Sequence, residues 1–270
     1  MTRYIVLPAQ VLVMLLLLIS CQKEVDIDLN STAPGIVIEG QITDQPGPYT
    51  VKISRTVNFN EPNTFPAVQG ATVIINDSEG NAETLTETSP GVYTGNTLQG
   101  FPGRSYVLTV TAGGQNYSAV SVMPAPVAID TITFKKRPFG SSDDEKLTEV
   151  EFADPAGIEN YYRLIMFRNN IRQRDIYITS DRIVDGEIIT ATLFRDDDDG
   201  YDDVALTSGD LVRVQLLSID KLTYEFLRTY DTPGGGDGSA SPANPINNLS
   251  NGALGYFSAA SVTEKTVVYP

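Results

Sequence analysis

The densest set of potential ligand atoms in the sequence is an acidic run around residue 200. Six carboxylates fall within nine positions, from Arg195 to Asp203. Carboxylate oxygens at this density are ligands that Ca²⁺ prefers, but the twelve-residue calcium-loop pattern fails, because Arg195 takes its first ligand position and Leu206 its last. We therefore favour a solvated hairpin tip over a calcium site. The candidate calcium ligands of the alternative are Asp197, Asp199, Asp202 and Asp203.

The single cysteine, Cys21, is a second candidate for chemistry. It follows an apolar run at 11–19 and one upstream basic residue, Arg3, which is the pattern of a signal peptide. Leu18-Ile19-Ser20-Cys21 resembles the lipobox of bacterial lipoproteins, in which the cysteine is acylated and becomes the new N-terminus. We expect a signal peptide over residues 1–20, cleavage between Ser20 and Cys21, and stable membrane attachment through several acyl chains on Cys21.

Residues 21–34 form the expected acylated tether. In it Lys23 precedes the acidic side chains Glu24 and Asp26. This order resembles the surface-export signal of lipoproteins in bacteria of the Bacteroidota type, and the alternative is a solvated tether with incidental charges. The expected location is the outer membrane, lipid-anchored, on the cell surface.

Composition excludes several kinds of active site within these 270 residues. Histidine is absent and Cys21 is the one cysteine. The chain alone therefore cannot build a Ser-His-Asp or Cys-His pair, a disulfide or a thiolate zinc site. Paired carboxylates of the glycosidase kind are compatible with the composition, but no pair stands out by its spacing. We expect a protein that is not an enzyme and needs no cofactor, with calcium as the open alternative.

The charge balance bears on the partners. The formal net charge is −15, and such a field repels phosphate backbones and anionic lipid surfaces. We expect no nucleic-acid partner; a neutral or cationic small ligand, a peptide or a glycan is compatible with this charge. Aromatic rings can stack on such ligands, and the candidate contacts are Tyr256 and Phe257, which follow a Gly-rich segment.

Short alternating or apolar runs separated by turn residues predict strands along most of the chain. Gly113-Gly114 between two such runs predicts a hairpin. The expected fold class is all-β, with two tandem β-sandwich domains of immunoglobulin-like or jelly-roll-like type. The predicted strands are 36–42, 49–55, 71–76, 91–94, 105–111, 117–122, 131–136, 147–152, 161–167, 175–179, 187–194, 211–219, 253–260 and 266–269.

Prolines set the expected domain boundary. Pro124 and Pro126 remove two backbone donors, which predicts a linker at 124–129 between a first domain at 35–123 and a second at 130–270. The second domain contains one short helix at 220–230, capped by Asp220. Its expected apolar stripe is Leu222, Phe226 and Tyr230. Residues 232–245, rich in Gly, Pro, Ser and Asn, predict a mobile loop.

Four stretches together resemble the lipoprotein family catalogued as domain of unknown function 4249. They are the lipobox with its acidic tail, residues 37–49, residues 70–73 with 90–93, and residues 242–245 with 250–257, of which Asn-Gly-Ala-Leu-Gly-Tyr-Phe is the most specific.

The resemblance implies an outer-membrane lipoprotein, commonly encoded beside a TonB-dependent receptor. The leading hypothesis is a non-catalytic partner of a TonB-dependent nutrient importer that contributes to substrate capture. The alternative is a structural or adhesive β-sandwich protein of the envelope. A third hypothesis is a calcium-binding surface module.

Overall fold

The computed structural model describes residues 34–58, 61–62, 64–136, 146–174, 176–193, 206–231 and 244–270, with backbone only for Lys146 and Asp231. Apart from Asn58, these residues fall in one compact unit. No helix in this described part has the length and apolar character needed to cross a membrane.

Strands dominate the described residues, which form fifteen strands and one helix. They are β1 (Ile36–Thr43), β2 (Tyr49–Arg55), β3 (Thr72–Asp77), β4 (Ala82–Ser89), β5 (Val92–Gly95), β6 (Ser105–Ala112), β7 (Gln115–Val122), β8 (Thr131–Lys136), β9 (Lys146–Ala153), β10 (Tyr161–Arg168), β11 (Ile171–Arg172), β12 (Tyr177–Ser180), β13 (Ile188–Leu193), β14 (Leu211–Ile219), α1 (Lys221–Asp231) and β15 (Leu254–Val268). The all-β prediction is confirmed.

The largest departures from the predicted elements are at β4 and β15. No strand was expected at β4, where Leu85 is the one buried side chain, because a run this polar has no apolar alternation. Its pairing with β3 and β5 holds it in the sheet instead. The two final strands expected at 253–260 and 266–269 are one continuous strand, β15.

The strands of the first half close into a β-sandwich. Alternation along β1 points Ile38 and Ile42 into the core, with Gly40 between them. A Cβ on Gly40 would lie 3.1 Å from Val51 Cγ2 and 3.7 Å from Leu108 Cδ2. Since Val51 belongs to the neighbouring strand β2 and Leu108 to β6, the layer that contains β1 faces the layer that contains β6. The hydrogen-bonded order is β15-β1-β2-β5-β4-β3-β6-β7.

The second half has its own pair of facing layers. A three-stranded sheet, β13-β9-β8, packs on the layer formed by β10, β14 and the end of β15. The rings of Phe152 on β9 and Tyr162 on β10 meet edge to face across this core, with centroids 4.8 Å apart. Both side chains are fully buried. Apolar burial between the two layers is thus the main stabilising term here.

Helix α1 covers the outer face of the β10–β14 layer. Asp220 caps it as predicted, because its Oδ1 accepts a hydrogen bond of 2.8 Å from the Thr223 amide. Phe226 and Leu227 are buried against Ile165 and Leu217 of the sheet.

The expected apolar stripe of α1 was partly wrong. Leu222 and Tyr230 are 45% and 57% exposed, and Phe226 is the one member of that stripe that is buried. The buried face consists of Thr223, Phe226 and Leu227, which are related by i, i+3 and i+4. Packing against the sheet buries this narrower face of the helix.

Strand β15 pairs with both halves of the body. Its first part runs parallel to β1, from Leu254 opposite Val37, and its last part runs antiparallel to β14, ending with Val268 opposite Leu211. The expected division into domains at 35–123 and 130–270 is not confirmed and stays a prediction. In the expected linker, Val127 is buried in the core of the second half.

Polar side chains fix β15 where it changes partners. Ser121 Oγ on β7 accepts a hydrogen bond of 2.8 Å from the Ala259 amide and donates one of 2.5 Å to Asp220 Oδ2. Asp44 Oδ1, after β1, accepts a hydrogen bond of 2.9 Å from the Val262 amide. The crossing strand is therefore tied to β7, to the N-terminus of α1 and to the turn that follows β1.

Alanine substitutions at two glycines test how closely β15 approaches β1. Gly255 has a φ of 98°, and a Cβ there would lie 2.1 Å from the carbonyl oxygen of Ile38. Gly252 has a φ of 73°, but a Cβ there meets no atom within 4 Å. We predict that Gly255→Ala lowers the free energy of unfolding by more than about 4 kcal/mol. Gly252→Ala, which adds backbone strain alone, costs about 1–2 kcal/mol. Equal losses in urea unfolding would contradict this close approach.

Candidate functional site

A cleft of about 710 Å³ opens along one flank of α1. Its walls are α1, the end of β12, the start of β13 and the connecting residues 182–184. A volume of this size is typical of sites for small ligands. We call it the α1 cleft.

Two tyrosines form the aromatic part of the α1 cleft. Tyr161 begins β10 and Tyr224 lies in the first turns of α1, and their ring centroids are 5.1 Å apart with a 42° angle between the ring planes. Both are half-buried, so each ring keeps some surface toward the cleft. Such rings offer an apolar face to a planar or sugar ring.

Charged groups surround this tyrosine pair. Glu159 Oε2 accepts hydrogen bonds from Tyr161 Oη at 2.8 Å and from Lys221 Nζ at 3.2 Å. These bonds, with that of Tyr161 the larger cause, lower the pKa of Glu159 and keep it ionised. Arg228 pairs with Glu225 at 2.6 Å on the same wall. The cleft thus combines stacking surface with fixed donors and acceptors, which suits a ligand rich in hydroxyl or amide groups.

Three carboxylates hold the segment that walls the α1 cleft. Oxygens of Asp154, Asp181 and Asp185 all lie within 4.8 Å of one another. Hard cations accept such donors, but both Asp154 oxygens already accept hydrogen bonds, from the Tyr162 hydroxyl and from the Gly186 amide. These bonds account for Asp154 as a brace for the loop between β12 and β13.

The surroundings of Asp181 in this brace disfavour its ionised form. Asp181 is 3% exposed, and this burial is the main cause that raises the pKa of its carboxyl group, with the charges of Asp154 and Asp185 adding to it. The hydrogen bond from the Asn160 amide to Asp181 Oδ2, 2.8 Å long, acts in the opposite direction. Burial likewise raises the pKa of the Tyr162 phenol above its ordinary value, which keeps it a hydrogen-bond donor.

The site residues expected from the sequence lie in different surroundings. Tyr256 is half-buried and stacks on Phe226 of α1, with centroids 4.7 Å apart. Phe257 is fully buried in the core of the first sandwich, so its ring has no exposed surface for a ligand. The other expected residues lie outside the described part of the chain: Ser20, Cys21, Lys23, Glu24, Asp26, Asp197, Asp199, Asp202 and Asp203.

Sequence reasoning did not single out Tyr161 and Tyr224. Tyr161 was part of a predicted strand and Tyr224 of a predicted helix. The available signal was weak: each aromatic stands off the main apolar stripe of its element. The contact between the two becomes visible only when α1 is placed on the sheet.

Comparison with known proteins assigns the chain to a family. The model of the family "Domain of unknown function (DUF4249)" matches residues 22–266. This chain belongs to the DUF4249 family. No curated protein sequence matches the chain. A similar solved structure is a segment of two fibronectin type III domains from chicken tenascin, with 11% identity, 88% of this chain and 100% of that chain covered, and a TM-score of 0.23.

Two aspartates of this DUF4249 protein should respond to pH in opposite ways. The raised pKa of Asp181 means that the folded state binds a proton more readily than the unfolded state, so its contribution to stability improves as pH falls. We predict that Asp181→Asn raises the melting temperature at pH 7, measured with a chelator present. The gain shrinks as pH falls through the raised pKa and is absent below the ordinary value of 3.8.

Asp210 is the matched control. Hydrogen bonds from the Thr207 amide and Asn169, together with Arg168, lower its pKa to about 2. Its stabilising contribution is therefore complete above pH 3.8 and lost as pH falls to about 2. Asp210→Asn is expected to lower the melting temperature at pH 7, with a difference that closes in acid. Shifts of the same sign in both variants at pH 7 would contradict the unfavourable burial of the Asp181 charge.

Proposed function

We propose that this chain is a non-catalytic lipoprotein, held on the outer face of the outer membrane through acylated Cys21, that captures substrate for a TonB-dependent importer. The observation that carries the proposal is the run Leu18-Ile19-Ser20-Cys21, placed directly between an apolar leader and a folded β-sandwich body. Membership of the DUF4249 family fits a protein of the envelope.

The anchor limits where the body works. Several acyl chains bind a bilayer stably, because each buried methylene contributes about 0.8 kcal/mol. Residues 21–34 can extend to roughly 50 Å at most. A surface receptor in the same membrane is therefore within reach of the body, whereas a distant soluble partner gains nothing from the tether.

The α1 cleft supports the capture part of the proposal. It pairs a tyrosine platform with the Glu159–Lys221 and Glu225–Arg228 ion pairs. Neutral ligands with rings and hydroxyl or amide groups, such as a glycan unit or an aromatic peptide side chain, match these groups. No histidine or cysteine is among the residues that line the cleft, and we assign it ligand binding without a catalytic step.

The anchor is tested by labelling cells with an alkynyl fatty acid and analysing the mature protein by mass spectrometry. We expect an N-terminal, multiply acylated Cys21 in the wild type, and no label and no membrane association in Cys21→Ser. Protease added to intact cells should degrade the wild-type body. An unmodified sulfur or a retained leader would overturn the proposal.

Affinity purification from detergent-solubilised outer membrane tests the partner. We expect recovery of a TonB-dependent β-barrel receptor with the wild-type lipoprotein, and a growth defect of the deletion strain on one nutrient. Normal growth on every nutrient with loss of surface attachment would instead support the structural or adhesive alternative.

A variant pair tests the α1 cleft. Tyr224→Ala removes one ring of the platform, and we predict that it weakens binding on glycan and peptide arrays by about 1 kcal/mol, roughly fivefold. Tyr230→Ala near the C-terminus of α1 is the control, since Tyr230 is 57% exposed and does not line the cleft. Identical array profiles for wild type and Tyr224→Ala would exclude this cleft as the capture site.

A further inference from the structure

Arg163 is a buried cation without a partner at one of its donors. It lies in the middle of β10 and is 8% exposed, and its Nε is inaccessible and makes no hydrogen bond. A buried charged group is costly unless it is paired or hydrogen-bonded. This position therefore calls for an acceptor that the described residues do not supply.

A second arginine lies on the same face of the sheet. Arg172 on β11 stands opposite Phe167 on β10, and paired residues of antiparallel strands project to one side. Phe167 and Arg163 are four positions apart on β10, so they also share a side. The two guanidinium groups thus project from one face, the face that α1 partly covers.

The two cations are close enough to repel. Desolvation is the main cause that lowers the pKa of Arg172, and the positive charge of Arg163 is the next. Tyr256 acts in the opposite direction, which places its phenol within electrostatic reach of Arg172.

Neither arginine has an ion pair within the described residues. Several other basic side chains in that part of the chain meet a carboxylate within 3.2 Å: Arg104 with Asp77, Arg168 with Asp210, Arg213 with Glu264, Lys221 with Glu159 and Arg228 with Glu225. Lys52, Arg55 and Arg182 have no ion pair there and are exposed to solvent. The chain has 34 acidic residues against 19 basic ones. Arg163 is the one buried basic residue of the described part of the chain, and it has no carboxylate partner there.

We propose that Arg163 and Arg172 form a binding site for an oxyanion group of a small ligand, a carboxylate or a phosphate. A guanidinium presents parallel N–H donors that match two oxygens of such a group. Arg163 supplies the buried charge, and Arg172, whose side chain is exposed, supplies the accessible one. An oxyanion between them relieves their repulsion and accepts the hydrogen bonds that the protein leaves unmade.

The net charge of −15 does not prevent an anion from binding between the two arginines, because only charges close to the site act on it strongly. Surface charges are screened beyond about 8 Å at physiological ionic strength, whereas contacts inside a partly buried site are screened much less. The site differs from the expected neutral or cationic ligand and goes beyond the proposed function. It depends neither on the anchor at Cys21 nor on the α1 cleft.

Calorimetric titration of the purified mature lipoprotein in detergent tests the proposal. The probes are inorganic phosphate and acetate, each against sodium chloride of equal ionic strength. We expect saturable binding of at least one probe, and the stronger one identifies the ligand as phosphate or carboxylate. Arg172→Ala should weaken it at least tenfold. Arg55→Ala, which removes an exposed arginine on β2 in the first sandwich, should leave it unchanged. No saturable binding, or equal weakening in both variants, would overturn the proposal.

A second measurement leaves the buried arginine intact. In the wild-type protein labelled with ¹⁵N-arginine, the Nε–H resonance of Arg163 should shift in a saturable way with the stronger probe, and Arg172→Ala should abolish that shift. Tyr224→Ala should not affect it, which separates this site from the α1 cleft. An Arg163 resonance that stays in place at saturating probe would also overturn the proposal.

Discussion

Strand β15 carries hydrogen bonds from both halves of the body, parallel to β1 along its first part and antiparallel to β14 along its last. The close approach of Gly255 to Ile38 and the hydrogen bonds of Ser121 and Asp44 fix the point where its partner changes. Strand β1 is the first strand of the described residues, and α1 follows directly on β14. The face of β10 and β14 that α1 covers is therefore connected to the first sandwich through one continuous strand.

Charged side chains are stabilised to different degrees in different parts of the fold. Burial alone would raise the pKa of Asp77, but hydrogen bonds from Asn81, Arg104 and Glu79 lower it to about 2, so this turn between β3 and β4 is stabilised at neutral pH. Two charged residues near α1 are in less favourable surroundings. Burial raises the pKa of Asp181 and so disfavours its ionised form, and the Nε of Arg163 has no hydrogen-bond acceptor. Groups held at such an energetic disadvantage cluster where ligands bind more often than in structural turns. The residues around α1 are therefore the better candidates for ligand binding.

The sequence predicts the elements of this fold better than their contacts. β2, β8 and β14 begin and end as expected, because apolar alternation or an apolar run bounded by turn residues marks them. β4 has no such alternation, and β15 crosses a polar stretch at 261–265 that resembles a turn. The site is harder to predict, since Tyr161 with Tyr224 and Arg163 with Arg172 meet only through packing and strand register. Local periodicity also cannot show that Phe257 points into a core rather than toward a ligand.

Hydrogen exchange under native conditions, followed through a urea series, tests the coupling through β15 most directly. The account predicts that the slowest amides of β1 and β2 and those of β10 and β14 open with the same free energy, in one transition of the whole body. Two separate free energies, one for each half, would contradict it. That result would favour independently folding tandem domains at 35–123 and 130–270.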